Sequence, residues 1–249
     1  MRLRTVPKLI GVALLTAMLA VKADAEPVQR RLFYVGLALY SETWSQNDVV
    51  ALSDELQRNS DFAVVPLIAS NYITARRQYP IADDARITTL VRTAAMRAGP
   101  EDIVVVHIST HGGPGLLASR IGNQPTTAMT ARSLAQRLAP LGGHSTVVIV
   151  SACYSGSLIN ALRAPDRIVI AAARADRSSF GCAAGAQHTF FGHAELQAFA
   201  EPHRSLQQAF DAMRGNVARM EREQNYKPPS EPQVWVGNNV RGLYEAPLF

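Results

Sequence analysis

Beyond its first 25 residues the sequence has no apolar run approaching the roughly 20 residues that a membrane span requires. A stable span in the mature chain is therefore excluded. No basic run is dense enough to argue for nucleic acid. The acids Asp166, Asp176, Glu201, Glu221 and Glu223 show no metal-ligand spacing with the histidines, and no glycine-rich phosphate loop follows a strand. No metal or cofactor is implied. Internal repeats and low-complexity tracts are absent, and there are only two cysteines, Cys153 and Cys182.

What is there begins with Arg2, Arg4 and Lys8, ahead of the apolar run from Leu9 to Val21 and the small residues Ala23-Asp24-Ala25. This is the pattern of a secretory signal peptide over 1–25, which places the mature protein outside the cytoplasm, secreted or periplasmic. No cysteine follows the run, so lipid attachment is not indicated. The leader takes four basic residues and one acid with it, so the formal charge falls from +5 to +2. Residues 26–249 are of a length for one α/β domain.

Short apolar runs alternate with helix-period segments along that domain, which predicts a parallel sheet flanked by helices. The expected strands are Leu32 to Leu39, Phe62 to Ala69, Ile103 to Ile108, Val147 to Val150, Ile168 to Ala173 and, at an edge, Gln233 to Val236. Val49, Leu52 and Leu56 mark one helix face, and Ile87, Leu90, Val91, Ala94 and Ala98 another. Thr130 caps a short helix carrying Leu134 and Leu138. Ser205 with Gln208 makes a capping box for a long helix with Leu206, Phe210, Met213, Val217 and Met220 inward. Leu116 to Gln124 reads as a small hairpin.

Two of the strands end in chemistry. Val147-Val148-Ile149-Val150 runs into Ser151-Ala152-Cys153-Tyr154-Ser155-Gly156, and Ile103-Val104-Val105-Val106-His107-Ile108 runs into Ser109-Thr110-His111-Gly112-Gly113. The carboxyl ends of strands are where open α/β sheets bind ligands. A helix starting near Ser155 would favour the Cys153 thiolate. A cysteine and a histidine meeting there suit a thiol nucleophile paired with an acid/base for acyl transfer. The N–H groups of Gly112 and Cys153 are candidates to hold the oxyanion, and Gly112 and Gly113 leave room for a substrate backbone. Each residue also has a plainer reading: a cysteine after a buried strand is commonly a small core residue, and His107, inside its strand, reads as a core or interface histidine.

The histidine segment Ser109 to Gly115 and the cysteine segment Ser151 to Gly156 resemble the motifs of the legumain-like cysteine peptidases of the caspase clan, particularly their bacterial secreted members. Ala172 to Cys182 is similar to the segment lining that family's substrate cleft, and Pro229 to Gln233 to a block near its C-terminus. The resemblance runs from Arg31 to Gly237. It implies a caspase-like three-layer sandwich with a central, mostly parallel six-stranded sheet, His111 as acid/base, Cys153 as nucleophile and a peptide or protein as substrate. Ser151, Arg174, Ser178, Ser179 and His193 are the residues it suggests for the substrate pocket. The arginine after the first strand, the acid two residues before the nucleophile and the acid that would follow Gly192 in legumains are missing here, where Ser151 and His193 stand at the last two places. Strict asparagine selection is therefore not expected. Cys182 matches a cysteine of the family's Ser-Ser-aromatic segment, so two free thiols are favoured over a Cys153–Cys182 disulfide. A transamidase, a silent peptide-binding relative and a plain structural domain stay open at this point, as do natural substrate and oligomeric state.

Overall fold

A computed structural model of the chain describes residues 29–74, 78–201 and 204–247; the expected leader lies outside them. In chain order the elements are β1 (Arg31–Ala38), α1 (Thr43–Asn59), β2 (Ala63–Ser70), α2 (Asp84–Arg97), β3 (Ile103–Ser109), β4 (Gly112–Gly113), β5 (Leu116–Ser119) and β6 (Thr127–Thr130). They continue with α3 (Ala131–Arg137), β7 (Thr146–Ser151), α4 (Ile159–Leu162), β8 (Arg167–Ala171), α5 (Phe190–Phe199), α6 (Leu206–Glu223), β9 (Gln233–Val236) and α7 (Arg241–Glu245). The main sheet has six strands in the order β2-β1-β3-β7-β8-β9. All its pairings are parallel except β8 with β9.

Because β1, β3 and β7 are central and their successive side chains face opposite layers, they read as unbroken apolar runs. Leu32 and Tyr34 pack with Val49 and Leu52 of α1, Phe191 and Ala194 of α5, and Phe210 and Met213 of α6. Phe33, Val35 and Leu37 pack with Ile87 and Val91 of α2, Leu134 of α3 and Leu162 of α4. The result is the expected helix–sheet–helix sandwich. Its longest helix, α6, starts at the expected capping box, where the Ser205 hydroxyl accepts from Gln208 N at 3.2 Å and Gln208 Oε1 accepts from Ser205 N at 3.0 Å. The α2 start is capped by Asp83, which accepts from Arg86 N.

Four expectations are corrected. The β8 strand stops at Ala171: Ala172 N makes the last bond to β7, to Val150 O at 3.0 Å, and Ala173 turns to bond Ser155 and Gly156. The helix expected after Cys153 is a 3₁₀ turn over Ser155–Leu158 followed by the single turn of α4, too short to present much of a dipole. Of the hairpin expected over Leu116 to Gln124 only β5 lies in that stretch; its partners are β4 before it and β6 after it, which make the small antiparallel sheet β4-β5-β6. Helix α5 had no counterpart among the expected elements.

His107 is fully buried, as its place inside β3 implies. Tyr34 donates its hydroxyl proton to Val49 O and accepts from His107 Nδ1, both at 2.7 Å. That leaves Nε2 of His107 as the lone-pair nitrogen, 3.5 Å from Glu195 Oε2, a long contact between two fully buried groups. Burial lowers the His107 pKa to about 3 and drives that of Glu195 well up, which favours the neutral form of both, and neither His107 Nε2 nor the Glu195 carboxyl oxygens have a hydrogen-bond partner among the described residues.

Candidate active site

The registers of β3 and β7 set Ser109 beside Ser151. Thr110 N donates to Ser151 O at 3.0 Å, so the two chains leave the sheet side by side. Thr110, His111, Ser151, Ala152, Cys153, Ser179, Phe180, Cys182 and Thr189 line one open cleft of about 210 Å³. Both cysteines are free thiols. Tyr154 takes a left-handed conformation, φ 56°, to turn the chain straight after Cys153, and its N–H donates to Arg177 O at 2.7 Å. The Cys153 Sγ then sits against the backbone of Ser179, within 3.3 Å of both its N and its O. That amide, rather than a long helix, is the polar group set against the sulfur.

His111 is held by aromatic rings. Tyr40 meets it edge-on at 4.4 Å between centroids and Trp44 at 5.0 Å. Burial against them lowers the His111 pKa; the Glu42 carboxylate opposes this and the Arg120 guanidinium adds to it. Glu42 and Arg120 are themselves paired at 2.9 Å, with Arg120 lying over the Tyr40 ring. Gly112 is needed here whatever the substrate: a Cβ on it would stand 2.3 Å from the carbonyl oxygen of Cys153. At Gly113 a Cβ would only touch Leu116, at 3.4 Å.

Of the residues expected around the substrate, Ser151 and Ser179 line the cleft with His111 and Cys153. Arg174, Ser178 and His193 do not. The Arg174 guanidinium is engaged by Asp176 at 2.6 Å and Glu231 at 2.7 Å. His193 is exposed and bonds Gln197 one turn along α5.

Sequence reasoning missed Tyr40, Trp44, Thr189 and, above all, Asp48. Asp48 comes from α1 and is buried behind Ser151 and Thr189. Its carboxylate accepts from Ser109 Oγ at 3.0 Å, Thr189 Oγ1 at 2.8 Å, Thr189 N at 3.2 Å and His188 Nδ1 at 3.0 Å. Burial raises its pKa against the pull of those donors. An acid thus stands near the pocket after all, supplied by a helix on the far side of β1 in sequence. A signal existed in the run Asn47-Asp48-Val49, where a charge adjoins an inward-facing valine.

A family model described as the Peptidase C13 family matches residues 71–242. The structure is similar to the crystal structure of caspase-1 from Spodoptera frugiperda, with a TM-score of 0.55 and 14% identity, covering 84% of this chain and 86% of that one; at this identity the likeness concerns the fold. None of the curated proteins compared matches the chain. With the family model spanning more than half the sequence and both motif cysteine and histidine within it, the chain belongs to the Peptidase C13 family, the legumain-like cysteine peptidases with a caspase-like fold.

Proposed function

We propose that the protein is an exported cysteine endopeptidase that works through a His111–Cys153 dyad. The observation that carries this reading is the exit of both residues from adjacent parallel strands into one cleft. Cys153 Sγ, its proton passed to His111, attacks the scissile carbonyl. The N–H groups of Gly112 and Cys153 receive the developing oxyanion, and His111 returns its proton to the leaving amine. Water, deprotonated by His111, then hydrolyses the thioacyl bond and frees the thiol. Peptide or protein chains are the substrates. The leader-like first 25 residues deliver the enzyme across the membrane, and no described helix is long and apolar enough to cross one.

Cys153→Ala and His111→Ala test the dyad. Each is expected to cut peptide cleavage by at least about a thousandfold with an unchanged circular dichroism spectrum. Retained cleavage in either variant ends the dyad reading.

A further inference from the structure

The cleft around His111 and Cys153 is small, about 210 Å³. Two larger hollows, of about 1020 and 680 Å³, lie along α6 and share Ala218, Glu221, Pro229 and Glu231, so they form one groove. One wall is a face of the helix, on which Asp211, Gly215, Ala218 and Arg222 recur every three to four residues. The chain leaves that helix through Asn225, whose φ of 57° turns it back, and Tyr226 to Pro232 returns as the opposite wall. Pro228, Pro229 and Pro232 stiffen this wall and remove backbone donors from it, while the bond from Ser230 N to Glu221 Oε1 at 3.1 Å ties it to the helix. The helix surface between is low: a Cβ on Gly215 would meet nothing within 4 Å, and Ala218 carries a single methyl group.

Two features say what the groove is fitted to hold. One end is joined to the cleft by aromatic rings: Tyr226 stacks on Phe180 at 4.5 Å, and Phe180 lines the cleft next to Ser179, whose backbone touches the Cys153 sulfur. The same end is positively charged. Glu221 is bonded to Ser230 N, Glu223 to Arg219 at 3.4 Å and Glu231 to Arg174 at 2.7 Å, so none of these carboxylates answers Arg222 or Lys227. Both cations are exposed beside Tyr226. A low helix surface with an aromatic, cationic end suits an extended chain that carries apolar side chains and a carboxylate. From Asp211 to Arg222 the helix rises roughly 16 Å, room for about five extended residues.

We infer that this groove is a second substrate-binding surface: it takes an extended, acidic stretch of the protein chain cleaved at Cys153, several residues from the cleaved bond, and so favours long substrates over short peptides. The inference rests on the peptidase reading in one respect, that the occupant and the cleaved chain are the same molecule. A segment held there raises the effective concentration of the bond at the cleft.

A short fluorogenic peptide is compared with versions lengthened at the amino or the carboxyl end by about ten residues of leucine, glutamate, glycine and serine, enough to reach along the groove. One lengthened version is expected to raise kcat/KM at least about tenfold, and the gain is lost when lysine replaces glutamate. Gly215→Leu fills the groove with a better helix former, and Arg222→Glu combined with Lys227→Glu reverses its charge. Either change lowers the long-to-short ratio of kcat/KM at least about fivefold; a general loss of structure would lower both peptides alike. Ala218→Leu serves if Gly215→Leu does not fold. In an enzyme that cleaves the short peptide, no gain from either extension, or a gain that the variants keep, overturns the inference. The labelled extension alone, titrated by fluorescence anisotropy onto Cys153→Ala protein, reads the groove without turnover. Binding that Gly215→Leu weakens at least about tenfold upholds the groove even if no peptide is cleaved, an outcome that would end the peptidase reading alone. No binding, or binding that Gly215→Leu leaves unchanged, overturns the inference. Sedimentation of the wild type as a dimer that Gly215→Leu dissociates would give the groove to a second copy and overturn it too.

Discussion

Gly112 and Cys153 touch through their backbones: the α-carbon of the glycine faces the cysteine carbonyl so closely that even a methyl group would stand 2.3 Å from the oxygen and 3.1 Å from Ala152 Cβ. Neither neighbour is the far end of a flexible side chain, so a larger residue must push the β4 turn and Cys153 apart. Gly112→Ala is expected to destabilise the fold by about 1–3 kcal/mol. In the proposed dyad a displacement of Cys153 by about 1 Å costs on the order of 100-fold in kcat/KM. Thermal unfolding and peptide cleavage measure the two effects separately, and wild-type kinetics in a folded Gly112→Ala would show that the contact does not position Cys153.

The Glu42–Arg120 pair flanks His111 with opposite charges, and burial against Tyr40 and Trp44 lowers its pKa below the ordinary 6.5. In the proposed dyad neutral imidazole is the form that takes the thiol proton, so activity should persist to pH values below 6.5 on the acid limb. Arg120→Gln leaves Glu42 unopposed and moves that limb up; Glu42→Gln leaves Arg120 unopposed and moves it down. Profiles of kcat/KM against pH decide, and shifts of the same sign in both variants would contradict the account.

Glu195 and His107 make stability depend on pH in a defined window. The folded pair keeps one proton on the glutamate; the unfolded chain releases the glutamate proton above 4.5 and the histidine proton above 6.5. From 4.5 to 6.5 folded and unfolded forms bind equal numbers of protons, and this pair adds no slope. Above 6.5, as long as the raised Glu195 value is not passed, the folded form alone holds a proton, so stability falls with rising pH. Below 4.5 the unfolded chain binds both protons against one, and stability falls as pH drops toward the His107 value of about 3. Glu195→Gln keeps a neutral donor toward His107 and removes the alkaline slope. Urea midpoints measured upward from pH 6.5 should stay level for the variant while those of the wild type decline, and parallel decline would refute the assignment.

Cys153 and Cys182 line one cleft as free thiols, and burial, with the Cys153 charge next in size, raises the Cys182 pKa. Cys182 is thus a poor spontaneous nucleophile, and Cys182→Ser should keep activity under reducing conditions. If mild oxidant joins the two sulfurs, the same variant resists reversible inactivation. Mass spectrometry of oxidised wild type gives the pairing, and a complete disulfide that no reductant opens would favour a structural role.

The strand ends carrying His111 and Cys153 were legible because both flanking runs are buried on two faces and each stops at small polar residues. The capping box of α6 was legible because it is local. Helix α5 was not: Phe190-Phe191-Gly192-His193 opens it with a glycine, and Glu195 stands at a core position, so its apolar period is broken by the very residue that meets His107. Asp48 was hidden for a related reason. Its four donors come from β3 and from the segment 188–189, far away in sequence, and only the docking of α1 against α5 brings them together. Arg174 was misplaced because its partners Asp176 and Glu231 lie outside the cleft and hold the guanidinium there.

The central claim is that Cys153 is a nucleophile activated by His111, and a peptidyl acyloxymethyl ketone tests it most directly. Incubated with the protein and followed by intact-mass and peptide-mapping spectrometry, the reagent should add once, at Cys153, with Cys182 left free, and the addition should vanish in folded His111→Ala. Labelling of Cys182 at the same rate, or undiminished labelling of Cys153 without His111, would contradict the account.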